Sequence, residues 1–108
     1  MTRLLAAIDL GTNTVRLLVA EVDQVVGLVP RWSDQAVARL GEGVATRRTL
    51  LPAAAERALA AVRGYRDRAR DLGATEVLLV ATAAVRQARD GPSFVARLAS
   101  SAARRRHA

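Results

Sequence analysis

Apolar residues run almost unbroken from Leu4 to Ile8, and a second run, Val15 to Val22, follows after a short polar bend. Short continuous apolar runs predict strands, and the first reads as a strand buried on both faces. Asp23-Gln24 is polar and predicts a hairpin turn. From Val25 to Leu40 the pattern is less regular and reads as a third strand. Pro30 inside it has no N–H for a ladder bond, which places that strand at a sheet edge. Trp32, the single tryptophan, is expected to cap the core. Gly41-Glu42-Gly43 ends the β pattern, and a polar connector through Thr46, Arg47, Arg48 and Thr49 follows.

The period changes at Pro52, whose missing N–H costs nothing in the first turn of a helix. Ala55, Leu59, Val62, Tyr65, Ala69 and Leu72 recur at three- and four-residue steps and predict one apolar stripe. Arg57, Arg63, Arg66, Asp67, Arg68 and Arg70 fall on the other faces, with Arg63 and Asp67 spaced to pair. Gly64 lies mid-helix at a cost of about 1 kcal/mol relative to alanine, and Gly73 is the expected stop. Val77 to Ala81 reads as a buried strand. The helix before it acts as a crossover, so this strand should lie parallel to the first. Thr82 to Arg89 reads as a loop passing into a short helix, broken by Asp90-Gly91-Pro92. Ser93 is the expected cap of a last helix that turns Phe94, Val95 and Leu98 inward. The final Arg104 to Ala108 shows no apolar pattern. Residues 1–100 are therefore expected as one lobe and 101–108 as a basic tail. The order β-β-β-α-β-α predicts an α/β chain with a mixed sheet and the first strand central.

The 108 residues suit a single domain. With 51% hydrophobic and 25% charged residues, the chain can build a core. A domain this small suffers if a neighbouring layer is missing. There is no cysteine, so a disulfide framework and a Cys-ligated zinc site are excluded. No run is long enough for a transmembrane helix, and Asp9 interrupts the first run too early for a secretory signal, so a soluble cytoplasmic protein is expected. The net charge is +7, and all 17 basic residues are arginine. Arginine suits bidentate phosphate contacts, which fits a polyanionic partner. An abundance of Ala, Arg, Val, Leu and Gly without lysine also reads as a compositional bias. Arginines inside motifs therefore carry more weight than the total.

The bend between the first two runs concentrates the chemistry. Asp9 is delivered to Gly11, which is free to take positive φ and to admit a ligand to bare backbone. Thr12, Asn13 and Thr14 add hydroxyls, an amide and consecutive N–H groups that can form an anion-binding concavity. A carboxylate beside such a turn suits a hard cation such as Mg²⁺ shared with phosphate oxygens. The same residues also suit a plain β-hairpin turn.

Four segments, in order, carry a resemblance: Ala7-Ile8-Asp9-Leu10-Gly11-Thr12-Asn13-Thr14, Arg39-Leu40-Gly41-Glu42-Gly43-Val44, Val80-Ala81-Thr82-Ala83-Ala84-Val85-Arg86-Gln87-Ala88 and Gly91-Pro92-Ser93-Phe94-Val95. Over residues 3 to about 98 the chain resembles the N-terminal part of the exopolyphosphatase and guanosine pentaphosphate phosphohydrolase family. That family belongs to the actin, Hsp70 and sugar-kinase group of ribonuclease-H-like folds. The first segment is shared with kinases and chaperones of the group, while the second and third are more particular to the family and argue against those relatives. The resemblance implies that Asp9 binds Mg²⁺ or another divalent cation and that Gly11, Thr12, Asn13 and Thr14 contact a phosphoryl group. Arg16 alternates onto the strand face of Thr14 and would reach the phosphate chain. Arg86 matches a basic residue facing the substrate cleft, and Arg39 and Glu42 border it. For Glu42, a surface charge between two turn glycines is an equal alternative.

The family's catalytic glutamate, on a further strand, and its second phosphate loop have no counterpart in this sequence. No catalytic residue is therefore assigned, and His107 receives no role. The expected function is that of an N-terminal part of a phosphoanhydride hydrolase for polyphosphate or guanosine pentaphosphate. This chain alone is expected to be inactive, and its expected protein partners are a complementing C-terminal chain or further copies in a homo-oligomer. The alternative is a non-catalytic module binding polyphosphate or RNA. Only Trp32, Tyr65 and Phe94 could stack on bases, which disfavours RNA. The edge of the Val77 to Ala81 strand is expected to be unpaired and to favour self-association.

Overall fold

The computed structural model describes residues 3–81 and 83–103, so Thr82 of the third motif and the tail residues 104–108, His107 among them, lie outside the described residues. Four strands form one mixed sheet: β1 (Arg3–Leu10), β2 (Thr14–Asp23), β3 (Gly27–Val37) and β4 (Ala74–Ala81). Their order is β3-β2-β1-β4, with β2 antiparallel to β1 and β3, and β4 parallel to β1. The meander and the parallel return agree with the sequence pattern, and β1 is internal. β3 is an edge strand, and Pro30 stands opposite Ala20 where the ladder shifts register. The hairpin turn is held by the Asp23 carboxylate, which accepts the Val25 and Val26 N–H groups at 2.7 and 2.9 Å. Those two bonds, Val26 first, hold its pKa below the usual carboxylate value.

Four helices follow the meander: α1 (Val44–Arg47), α2 (Pro52–Asp71), α3 (Ala83–Gln87) and α4 (Gly91–Ala103). α1 was unforeseen, being a single turn inside the polar connector. Pro52 does open α2, and Gly73, at φ 100°, follows its last turn. Ala54 and Ala58 join the predicted stripe as buried residues, while Leu72 is half-buried. Asp67 pairs with Arg66 at 2.9 Å rather than with Arg63. α4 begins at Gly91, two residues before Ser93, and Phe94 donates its N–H to the Asp90 carbonyl at 3.0 Å. Ser93 is therefore inside the helix and not its cap. Phe94 and Leu98 are buried, but Val95 is exposed.

Among the described residues the helices cover one face of the sheet only. α2 packs on β1, β2 and β4, and α4 packs on α2 and β4. The core joins Ile8 and Leu10 of β1 and Val15, Leu17 and Val19 of β2 to Leu59 and Val62 of α2 and Leu98 of α4. On the opposite face Leu18, Leu78 and Val80 are exposed at 41%, 58% and 53%. The expectation that β1 and β4 are buried on both faces is thus corrected. Their continuous apolar runs signal two faces to be covered, and these residues cover only one. Trp32 packs against the core rim, with the Arg68 guanidinium 5.0 Å above its ring, a cation–π contact the periodicity did not indicate.

Candidate functional site

All four motifs meet at one end of the sheet, where β1 and β4 finish. The strand register sets Leu10 beside Ala81 and Asp9 opposite Arg16. The bend after β1 closes as a hairpin, with Gly11 donating its N–H to the Thr14 carbonyl at 2.7 Å. Gly11 is not in the positive-φ region, contrary to expectation. Its missing side chain matters for a different reason: a Cβ would lie 2.8 Å from the Thr14 carbonyl oxygen.

The second motif grips this bend from behind. Ala38 and Arg39 both donate to the Asn13 carbonyl, at 3.0 and 2.9 Å, and Gly41 donates to the Thr12 carbonyl at 2.9 Å. Two successive N–H groups reach one oxygen because the chain doubles back at Arg39, which adopts φ 53°. A non-glycine residue rarely does so, and such strain clusters at functional sites. Gly41 lies so close that a Cβ there would overlap the Thr12 methyl group and force that side chain to move. With both carbonyls held inward, the N–H groups of Thr12 and Asn13 have no partner among the described residues, and both residues are exposed. Free adjacent N–H groups on a rigid turn are what an anion-binding concavity requires.

Arg57 of α2 completes the second loop. Its Nε donates to the Ala38 carbonyl at 2.9 Å, and its Nη2 lies 3.4 Å from Glu42 Oε1. Arg39, Glu42, Val37 and Arg57 border a depression of about 380 Å³. Sequence reading placed Arg57 merely on an outer helix face, because nothing in a helical period reveals which loop a side chain will reach.

The third and fourth motifs attach to the second through Arg48, which also has positive φ (64°). Its carbonyl accepts the Arg89 N–H at 2.7 Å, and the Asp90 carboxylate accepts the Leu50 N–H at 3.1 Å. Arg86 donates from Nη1 to the Ala81 carbonyl at 3.2 Å. Because Ala81 neighbours Leu10, Arg86 stands at the same end as the Asp9 bend. The candidate residues nevertheless divide. Asp9 and Arg16 project onto the open sheet face and border a depression of about 570 Å³ with Ala7, Leu18 and Gln35. Arg39 and Glu42 border the separate depression beside α2.

Among the described residues no three His, Cys, Asp or Glu side chains gather into a metal cluster. At the bend after β1, Asp9 offers one exposed carboxylate. That donor set fits a cation such as Mg²⁺ only where phosphate oxygens and water supply its remaining ligands.

The model of the Ppx/GppA phosphatase family matches residues 18–103. The chain belongs to the Ppx/GppA phosphatase family. Among solved structures it is similar to an exopolyphosphatase-like protein, at 30% identity and a TM-score of 0.87 over 96% of this chain. It is also similar to an exopolyphosphatase from Cytophaga hutchinsonii, at 25% identity and 0.81 over 93%. The Aquifex aeolicus Ppx/GppA family member, at 24% identity and 0.84 over 91%, shares the fold. The sheet is thus that of the Ppx/GppA structures, a partial domain of the actin-like, ribonuclease-H-like architecture. This chain spans 32% of the length of each of the three, about a third. No helix among the described residues is long and apolar enough to cross a membrane.

Proposed function

We propose that this chain is the phosphate-holding lobe of a phosphoanhydride hydrolase acting on polyphosphate or guanosine pentaphosphate. One observation carries this: Thr12 and Asn13 are anchored through their carbonyls by the second motif, which leaves their N–H groups free at the end where the motif arginines collect. In this reading Gly11, Thr12, Asn13 and Thr14 form the turn that receives a phosphoryl group. Arg16 and Arg86 neutralise neighbouring phosphates, and Arg39 and Glu42 edge the cleft. Asp9 holds a divalent cation which, when bound, adds positive charge against the phosphate oxygens. Fixed donors and charges of this kind bind the phosphate chain and orient it.

Two of the acids near this end are engaged in other contacts. Glu42 is paired with Arg57, and Asp90 holds the Leu50 amide. Neither is placed to activate water, so the lobe by itself should bind and not hydrolyse. In this reading the base would come from outside these residues.

The test is a titration of the isolated chain with tripolyphosphate and with guanosine pentaphosphate, with and without Mg²⁺, alongside an orthophosphate-release assay. The expected result is salt-sensitive binding strengthened by Mg²⁺, lost in Gly41→Val, reduced several-fold in Arg86→Ala, and without phosphate release. Absence of binding at low salt, or equal binding by Gly41→Val that still folds by circular dichroism, overturns the reading. Rapid phosphate release overturns the claim that a base is missing.

A further inference from the structure

We infer that Arg57 is a positioning residue for the phosphate-receiving bend: it aims the free N–H groups of the bend through the second motif and makes no contact with phosphate itself. The inference rests on the phosphate reading above and adds to it a side chain from the middle of α2. A relay of peptide units carries it. Arg57 Nε donates to the Ala38 carbonyl at 2.9 Å. That carbonyl and the Arg39 N–H are opposite ends of one planar peptide unit, and the Arg39 N–H donates to the Asn13 carbonyl at 2.9 Å. A guanidinium bound to the carbonyl therefore fixes where the N–H points and polarises it into a stronger donor. The same geometry recurs in the bend. The Thr12 carbonyl, held by the Gly41 N–H at 2.9 Å, shares its peptide unit with the free Asn13 N–H. Arg39 stands at φ 53°, a conformation that a non-glycine residue keeps only where its surroundings impose it. Arg57 bonds the peptide unit that leads into that residue.

The two Arg57 contacts differ in weight. The Nη2 contact with Glu42 is 3.4 Å long and joins two exposed side chains, so it contributes little. The Nε bond is shorter, less exposed and made to buried Ala38. The carbonyl bond is thus the one that acts on the bend. The rival role is direct contact with phosphate in the depression that Arg57 borders with Arg39 and Glu42.

Two substitutions separate these roles. In Arg57→Gln the side-chain amide nitrogen stands as many bonds from the backbone as Nε does, so a neutral donor remains for Ala38 while the charge is gone. Arg57→Met keeps a stem and offers no donor. Tripolyphosphate is titrated into each across a salt series, with the Thr12 and Asn13 amide resonances followed by NMR. Arg57→Met should bind about five-fold more weakly than wild type, the loss of roughly one hydrogen bond, with the two resonances displaced before ligand is added. Arg57→Gln should recover most of that loss. Both should keep the steepness of the wild-type salt dependence, which reports the cations that meet phosphate. Equal weakening in both variants with a shallower salt dependence overturns the inference and makes Arg57 a phosphate contact. Wild-type binding by Arg57→Met with unmoved resonances overturns it as well. If Arg57→Met does not fold, the salt dependence of Arg57→Gln decides alone. A wild type that binds no tripolyphosphate overturns the phosphate reading instead, and the ligand-free resonances of Thr12 and Asn13 in the variants then judge the relay.

Discussion

The two faces of this sheet are written in the same residue types yet meet different fates. On one, Ile8 and Leu17 are sealed beneath α2 and α4. On the other, Leu18, Leu78 and Val80 stand in solvent around Asp9 and Arg16. The covered face holds the chain together, and the open face is surplus to that task. Apolar residues retained where they bury nothing mark a surface meant for contact. The difference teaches that alternate residues of the same strands can meet opposite environments.

The largest effect should separate the faces directly. Leu59→Ala removes a fully buried side chain and should cost about 2–5 kcal/mol, a large part of the stability of a domain this size. Leu78→Ala on the open face should change stability by less than about 0.5 kcal/mol. Chemical denaturation of both variants checks the contrast. Equal losses would mean that the open face is covered within the monomer.

A smaller effect should come from Gly64, on the outer side of the helix that seals the covered face. A Cβ at this position meets nothing within 4 Å. Gly64→Ala should therefore stabilise the chain by about 0.5–1 kcal/mol, read as a raised melting temperature. The smallest concerns the β2–β3 turn. The Asp23 carboxylate is favoured ionised in the fold because it accepts two N–H groups. Its contribution is complete above its unfolded pKa, near 3.8, and is lost as pH falls through the lower folded value. The Val25 and Val26 amide resonances should shift with that titration, and Asp23→Asn should abolish the shift.

The strands, their mixed order and the long helix were legible in the chain because each rests on local periodicity. Pro30 told of an edge and Pro52 of a helix start, through properties proline carries everywhere. The expected helix cap at Ser93 failed because Asp90 and Gly91 begin the helix earlier, and a cap depends on backbone conformation that side-chain type only suggests. The buried reading of β4 failed because an apolar run states a need for cover and not whether cover is supplied.

The candidate site follows the same division. Sequence by itself determined the family, through motifs taken together, and named Asp9, the hydroxyl-rich bend, Arg39, Glu42 and Arg86 as candidates for the chemistry. Only the tertiary structure decided how they are held. The Arg39 backbone at φ 53°, the paired N–H groups on the Asn13 carbonyl and the reach of Arg57 to Ala38 and Glu42 join positions remote in the chain. Periodicity reports the environment of a residue's neighbours along the strand or helix. Contacts across loops depend on the register of β1, β2 and β4 and on the packing of α2, and those exist only once the sheet has closed.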